Sequence, residues 1–382
     1  MCAFWYCVGE TKRGWQLVRR PTSCDRRWRK PGSISGRNAI SAIYDAMRWS
    51  IIGSSMAPLA IALGDPAGIG PEIVGKAWAA RQAAGLPPFF AVGDAESVKY
   101  GWRGPVVRIA SPDEAVEVFK TALPVLHIFD CGDVHIGKPD VEGARCALAA
   151  LQLATGMTRT GPAAALVTAP VSKAQLYAVG FTHPGQTEFI AEVCGVSTDN
   201  AVMMLAGPTL RVVPVTTHIA LCEVSAALTT ELILTKARAT ARGLTRDFGI
   251  ENPRLAIAGL NPHAGESGMI GREEVDIIMP AVDVLREEGV EAFGPIAADG
   301  LFHPRARAAY DAAICMYHDQ ALIPLKALHF DEGVNVTLGL PIVRTSPDHG
   351  TAFGIAGQNI ANPGAMIAAI KLAAQAAAAR AV

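Results

Sequence analysis

The alternation of short apolar runs with helix-like stretches, which begins at Leu59, constrains the fold more than any other feature of the sequence. It is typical of βαβ units, in which helices join parallel strands. The predicted strands lie at 59–63, 89–92, 106–109, 164–168, 211–216, 254–259, 312–317 and 333–338. The predicted helices lie at 71–84, 142–157, 173–179, 223–248, 273–288 and 364–380. The chain is therefore predicted to be an α/β protein.

Composition agrees with buried parallel strands, because 50% of the residues are hydrophobic and only 18% are charged. The 34 basic and 35 acidic residues nearly cancel, so we expect neither nucleic acid nor a membrane as a partner. No apolar run is long enough to predict a membrane span. The eight cysteines follow no CxxC spacing, which favours reduced thiols and a cytoplasmic location.

Residues 1–55 differ from the rest of the chain. They hold four of the six tryptophans, are rich in arginine and show no sustained periodicity. We expect a basic N-terminal appendage that is disordered or lies upstream of a true start at Met56, with a transit peptide or a nucleic-acid arm as alternatives. Residues 56–382 are expected to form the catalytic region.

A turn rich in glycine and proline, GDPAGIGP, joins the first predicted strand to a helix. Such a turn either holds an anion at the helix N-terminus or is a tight turn without a ligand. The stretch from Gly70 to Lys76 resembles a phosphate loop, but Ala77 stands where that motif requires Ser or Thr. Nucleotide hydrolysis at this turn is therefore excluded.

Three histidines, His218, His263 and His318, follow predicted strands, where open α/β sheets place their ligands. Each could be a structural histidine, but together they suggest a three-histidine metal site with one coordination position left for substrate. Asp299 and Asp319 lie in neighbouring loops and are candidates for orienting these ligands or transferring protons.

Lys326, Asn335 and Arg344 interrupt a largely apolar region. A cation in such a region either pairs with a local acid such as Asp331 or Glu332, or faces an anionic ligand. The sequence alone leaves both alternatives open.

Eight motifs follow one another between Leu59 and Ala374: GDPAGIGPE, TAPVSK, HPGQTEF, VTTH, GLNPHAGE, YHDQALIPLK, GVNVTLGLPIVRTSPDHGTA and IANP. With them the chain resembles the 4-hydroxythreonine-4-phosphate dehydrogenase family of pyridoxal phosphate biosynthesis. It is similar, more distantly, to isocitrate and isopropylmalate dehydrogenases.

The resemblance implies a two-lobed α/β/α fold of the isocitrate/isopropylmalate dehydrogenase kind, without the GxGxxG fingerprint and with the active site in the cleft between the lobes. It implies a homodimer that uses NAD or NADP and a divalent metal such as zinc, magnesium or cobalt. The metal ligands would be His218, His263 and His318, the last reaching across from the partner subunit.

The same matching implies further site residues. Those that bind substrate would be Gln186, Thr187, Lys326, Asn335 and Arg344. Those with catalytic roles would be Asp299 and Lys326, and those that bind the cofactor His349, Gly350, Thr351 and Asn362. The implied reaction oxidises 4-phosphooxy-L-threonine to 2-amino-3-oxo-4-phosphooxybutanoate, which loses CO₂ to give 3-amino-2-oxopropyl phosphate.

Two residues depart from the family pattern. Gln186 replaces the usual histidine, and Gly354 stands where relatives commonly carry an aspartate in the cofactor loop. The alternatives are therefore a related dehydrogenase that acts on phosphothreonate or a cis-dihydrodiol dicarboxylate, and a metallohydrolase with the same three histidines.

Removing residues 1–55 tests the boundary of the catalytic region. A chain that begins at Met56 is expected to fold and to turn over normally, because the predicted core starts at Leu59. Steady-state kinetics and gel filtration check this. A drop in kcat of more than about tenfold would show that the appendage belongs to the working enzyme.

Overall fold

The computed structural model describes residues 57–381, so the expected appendage at residues 1–55 lies outside the described residues. The described part is a mixed α/β structure, which confirms the predicted class. The strands are β1 Leu59–Ala62, β2 Phe89–Gly93, β3 Val106–Ile109, β4 Leu123–His127, β5 Leu166–Thr168, β6 Val202–Gly207, β7 Leu210–Pro214, β8 Arg254–Ala258, β9 Glu291–Ile296, β10 Ala312–Cys315, β11 Val334–Leu338 and β12 Arg344–Pro347.

Helices cover the sheet, and none of those in residues 57–381 is long and apolar enough to cross a membrane. They are α1 Gly70–Ala79, α2 Arg81–Ala84, α3 Ala95–Gly101, α4 Ala115–Val118, α5 Val141–Thr160, α6 Lys173–Ala178, α7 Gln186–Cys194, α8 Val224–Ala227, α9 Thr230–Phe248, α10 Met279–Glu287, α11 Pro304–Arg307, α12 His318–His329 and α13 Gly364–Arg380.

The strands form one sheet in the order β3-β4-β2-β1-β5-β12-β11-β6-β7-β10-β8-β9. The first six are parallel to one another, and so are the last four. Three successive antiparallel pairings, β12 with β11, β11 with β6 and β6 with β7, separate these two blocks. The blocks therefore run in opposite directions, and their carboxyl ends reach opposite edges of the sheet.

The central antiparallel strands place polar side chains on one face. Asn335 pairs with Ser346 and with Leu205 across the sheet, and directly opposed residues share a face. Arg344 lies two residues before Ser346, so it points to that face as well. Two of the flanking strands, β1 and β2, are apolar, and every residue in them is buried, as expected for parallel strands covered by helices on both sides.

The observed elements differ from the predicted ones where the apolar pattern is weak. The predicted helix at 223–248 is two helices, α8 and α9, because Thr229 caps the N-terminus of α9 by accepting a hydrogen bond from Leu232 N. The elements that were not predicted are the strands β4, β6, β9 and β12 and the helices α3, α4, α7, α11 and α12.

The GDPAGIGP turn uses its own backbone donors. Ala67 N donates to Asp65 Oδ1, Asp65 N to the Pro170 carbonyl, and Ile69 N to the Thr351 carbonyl. A Cβ on Gly68 would lie 2.9 Å from the Thr351 oxygen, so only glycine allows this close approach. The turn is therefore a structural support for the segment that follows β12, which favours the alternative of a tight turn without a ligand.

Asp65 is buried inside this turn. Burial raises its pKa from 3.8 to about 6, against the hydrogen bond from Ala67 N and with a smaller contribution from Asp140. Between about pH 4 and pH 6 the folded protein thus holds a proton that the unfolded chain has lost. The free energy of unfolding consequently falls as the pH rises through this window.

An Asp65→Asn variant is expected to unfold at higher denaturant concentration than the wild type at pH 7.5, by about 2 kcal/mol, and to match it below about pH 4. Urea unfolding across this pH range measures the difference. Asp113→Asn, an exposed carboxylate, is the control and should show no such divergence. A constant gap between Asp65→Asn and the wild type at all pH values would contradict the burial argument.

Candidate active site

A cleft of about 620 Å³ crosses the face of the central antiparallel strands. At one end it reaches the residues that follow β7 and β10, and at the other those that follow β5 and β12. The reversal of strand direction explains this arrangement, because the carboxyl ends of the two parallel blocks meet opposite ends of one cleft. Of the predicted site residues it contains Gln186, Thr187, His218, His318, Lys326, Asn335, Arg344, His349 and Gly350.

Arg344 is the most unusual residue of the cleft, since its guanidinium is only 4% exposed and has no carboxylate partner among residues 57–381. Its donors reach neutral oxygens: Thr168 Oγ1 at 2.8 Å, Thr337 Oγ1 at 3.1 Å and Gln186 Oε1 at 3.3 Å. Its Nε has no partner within the described chain, and neither does Asn335 Oδ1. Burial lowers the pKa of Arg344 to about 10, so it remains a cation and can bind an anion.

Gln186 and Thr187 begin α7, whose N-cap is Gly185 and which has no side-chain cap. Gln186 thus contributes its amide oxygen to Arg344 and stands at the positive end of a helix. Lys326, on α12, forms an ion pair of 3.1 Å with Asp348, which follows β12. Lys326 therefore has an acidic partner nearby, although that partner is neither Asp331 nor Glu332.

His218 and His318 lie side by side, with ring centroids 5.6 Å apart. Thr216 joins the loops that carry them, because its N and Oγ1 both donate to the Met316 carbonyl. His218 has a left-handed backbone (φ 51°) that costs a non-glycine residue about 1 kcal/mol. Burial, and then the charges of Lys173 and His318, lower the pKa of His218, which favours the neutral imidazole that metals bind.

His263 lies outside the cleft, and its side chain is 68% exposed. It opens a run of five residues with left-handed dihedral angles, His263 to Ser267. Buried Glu274 holds the chain just before this run, since its carboxylate accepts hydrogen bonds from the Leu260 and Asn261 amides at 2.7 Å each. The strained turn is therefore anchored at its base, and it directs His263 outward.

Gln320 joins the ends of β10 and β8. It is buried, accepts a hydrogen bond from Met316 N at 2.6 Å and donates one to the Gly259 carbonyl at 2.7 Å. Together with Thr216 it fixes the loops of His218, His318 and His263 relative to one another. These contacts give a physical role to residues of the VTTH and YHDQ motifs other than the histidines.

The structure brings together only part of the predicted metal site. Asp299 is exposed and lies outside the cleft, in the turn Ala298–Gly300 that contacts the turn carrying His263. The turn of His263 follows β8 and the turn of Asp299 follows β9. These two strands lie farthest from the centre of the sheet on this side. His318, which the resemblance assigns to the partner subunit, is instead beside His218 in the same chain.

The predicted cofactor segment, from His349 to Asn362, is exposed over most of its length and held near both ends. The Thr351 carbonyl accepts from Ile69 N at 3.0 Å, and Ala361 N donates to buried Glu72 at 2.8 Å. Asn362 is exposed and accepts from Gly364 N at the start of α13. Packing does not require glycine at Gly354, because a Cβ there would meet nothing within 4 Å.

Sequence reasoning missed four charged residues of the cleft: Lys173, Glu188, Lys236 and Asp348. Lys173 and Glu188 belong to the TAPVSK and HPGQTEF motifs, so their place in those motifs could have marked them. Lys236 lies inside α9, and no local signal marks it.

Two other features lie away from the cleft. Asp94, His127 and Asp130 place ligand-type atoms within 4.8 Å of one another and could hold a metal ion. However, Asp94 already accepts from Glu96 N and Cys131 N, and His127 Nδ1 from Ala95 N. A larger cavity, about 830 Å³, opens beside α9 and contains none of the predicted site residues.

Comparison with known families shows which family the chain belongs to. The family model described as pyridoxal phosphate biosynthetic protein PdxA matches residues 85–373. The chain belongs to this family. It is 57% identical over 322 residues to the 4-hydroxythreonine-4-phosphate dehydrogenase of Zymomonas mobilis, a match that covers 84% of this chain and 96% of that protein.

Solved structures agree with this PdxA membership. The 4-hydroxythreonine-4-phosphate dehydrogenase of Klebsiella pneumoniae is 36% identical with a TM-score of 0.76, covering 85% of this chain and 99% of that one. A terephthalate 1,2-cis-dihydrodiol dehydrogenase from Burkholderia xenovorans is 30% identical with a TM-score of 0.58, covering 84% and 98%. The second enzyme corresponds to one of the alternative activities named above.

A Gln320→Met variant is expected to lower the free energy of unfolding by about 2 to 4 kcal/mol. The buried Met316 N–H and Gly259 carbonyl would both lose their partners. Urea unfolding measures the loss, with exposed Gln375→Met as the control. A loss below about 0.5 kcal/mol would mean that the two loops do not depend on this side chain.

Proposed function

We propose that this PdxA-family chain oxidises 4-phosphooxy-L-threonine with NAD or NADP and a divalent metal, and that the product decarboxylates to 3-amino-2-oxopropyl phosphate. One observation carries the proposal. Arg344 is a buried cation whose hydrogen-bond partners among residues 57–381 are all neutral and whose Nε has no partner there, and it lies in the same cleft as two histidines. Such a cleft suits a small anionic substrate that must also reach a metal.

The histidines fit a metal such as zinc, magnesium or cobalt. The Nδ1 atoms of His318 and His263 each lie 2.8 Å from a carboxylate, of Asp319 and Glu266 respectively. A carboxylate on one ring nitrogen leaves the other for a metal, which is the usual second shell of metal-binding histidines. His218, His263 and His318 would hold the ion, which supplies Lewis acidity at the substrate's secondary hydroxyl.

The segment after β12 fits a nicotinamide cofactor. It is exposed and rich in glycine, and Gly350 and Gly354 face open space, so backbone groups and a bulky ligand can approach closely. His349, Gly350, Thr351 and Asn362 would hold the cofactor, which accepts the hydride. Because Gly354 offers no carboxylate to the ribose hydroxyls, the chain leaves room for either NAD or NADP.

The chain's own residues position the substrate. Arg344 and Asn335 offer a free donor and a free acceptor, and Gln186 and Thr187 face the same space. Lys326 contributes a transferable proton at the cleft wall, and the ion pair with Asp348 fixes its position. The carboxylate of the oxidised substrate lies β to a ketone, so its loss needs only charge stabilisation and a proton.

A second copy of the chain completes this site in our proposal. His263 and Asp299 are exposed and lie outside the cleft of their own chain. Exposed apolar side chains lie beside the histidines: Met269, 87% accessible, follows the turn of His263, and Leu221, 70% accessible, lines a small cavity with the two histidines of the cleft. Exposed apolar surface beside an incomplete site indicates an interface between copies. In this arrangement His263 comes from the partner, in place of His318.

Turnover assays test the proposed reaction. The wild type is expected to form NADH or NADPH with 4-phosphooxy-L-threonine and to stop when a chelator removes the metal. Phosphothreonate and a terephthalate cis-dihydrodiol serve as competing substrates. A preference of tenfold or more for either would replace the proposed substrate, and hydrolysis without any cofactor reduction would favour a metallohydrolase.

Mixed variants test how the two subunits share the site. Dimers formed from inactive His218→Ala and inactive His263→Ala chains should recover about a quarter of the wild-type rate, since half of the mixed dimers' sites are intact. Mixing His218→Ala with His318→Ala should recover nothing, because both ligands come from one chain. If activity returned only in the mixture of His218→Ala with His318→Ala, the partner subunit would supply His318 and not His263.

A further inference from the structure

Lys236 is a cation of the cleft wall without a role in the reaction described so far. It lies on α9, is half-buried and lines the same cleft as Thr187, Thr198 and Met203. The two histidines of the cleft lie on other elements. A lysine in the middle of a helix normally extends into water. This one lines the cleft instead.

The side chain of Lys236 makes no hydrogen bond or ion pair within residues 57–381. Asp199 and Glu188 act on it electrostatically, but neither accepts a hydrogen bond from it. Burial lowers the pKa of Lys236 below its usual range, against the pull of these two acids. The ammonium group therefore has donors to spare in a partly desolvated place.

The charges around Lys236 favour an anion. Lys326 and Asp348 neutralise each other at 3.1 Å. The remaining charged groups of the cleft are Arg344, Lys173 and Lys236 against Glu188. The uncapped N-terminus of α7 adds a partial positive charge at Gln186 and Thr187, and the unpartnered Nε of Arg344 lies beside it.

We propose that Lys236 is a specificity-determining residue that binds the phosphate group of the substrate, at the end of the cleft formed by the N-terminus of α7. This proposal rests on the proposed function and deepens it. A phosphate dianion would satisfy the free donors of Lys236 and Arg344 together, and a substrate without the phosphate would leave Lys236 unpaired. The histidines at the other end of the cleft remain available to the reacting hydroxyl.

Inorganic phosphate is the first probe, in thermal unfolding and calorimetry with the full-length protein. Phosphate is expected to stabilise the wild type, and Lys236→Met to weaken its binding by roughly 10- to 100-fold, the effect of one charged hydrogen bond. Lys236→Arg keeps the charge and should keep most of the binding. Lys371→Met removes an exposed lysine of α13 and should change nothing.

Kinetics provide the second readout. Lys236→Met should raise KM for 4-phosphooxy-L-threonine by a similar factor with kcat within a few fold, and leave kcat/KM for 4-hydroxy-L-threonine within about twofold of the wild type. Equal phosphate binding by the wild type and Lys236→Met, or no phosphate binding by the wild type, overturns the proposal.

The two proposals fail in different ways. Normal turnover of the phosphorylated substrate by Lys236→Met removes the role of Lys236 and leaves the proposed function intact. If the wild type binds phosphate through Lys236 but does not oxidise 4-phosphooxy-L-threonine, the proposed function fails and the role of Lys236 in binding phosphate stands.

Discussion

The buried guanidinium of Arg344 is the interaction on which the site depends. Removing a charge from water is unfavourable unless partners replace the water, and the described partners of Arg344 are three neutral oxygens. Its lowered pKa, about 10, reflects this incomplete compensation. An anionic substrate would supply the missing charge, so the central strands are built to bind a ligand as well as to pack.

The sheet topology places the other parts of the site around Arg344. Three antiparallel pairings reverse the strand direction at the centre, so one cleft touches the carboxyl ends of both parallel blocks. The histidines of the cleft follow strands of one block, and the predicted cofactor segment follows a strand of the other. Hydrogen bonds from buried polar side chains hold these loops in place: Thr216, Gln320 and Glu274 on the side of the histidines, and Glu72 on the other side. The left-handed backbones of His218 and His263 are tolerated because these ties hold the loops.

Much of this could be predicted from the sequence. The apolar runs predicted most of the flanking strands correctly, since a buried parallel strand needs a continuous apolar stretch. Because those strands could be located, the histidines that follow them could be placed at strand ends. The strand β12 could not be predicted, because Arg344, Thr345 and Ser346 are polar residues in a buried strand and so break the apolar pattern. Lys236 was missed because only the tertiary packing of α9 brings it into the cleft. His263 and Asp299 were expected at the metal, but one chain alone leaves them exposed.

The most direct test of the account compares the stability of wild type and Arg344→Met with and without substrate. If Arg344 is held for a ligand, the variant without ligand should be at least as stable as the wild type, because an incompletely paired buried charge is replaced by an apolar side chain. Substrate should then raise the unfolding midpoint of the wild type and not of the variant. A variant that loses more than about 2 kcal/mol of stability without ligand, and is still stabilised by substrate, would show that Arg344 is a structural tie and would contradict the account.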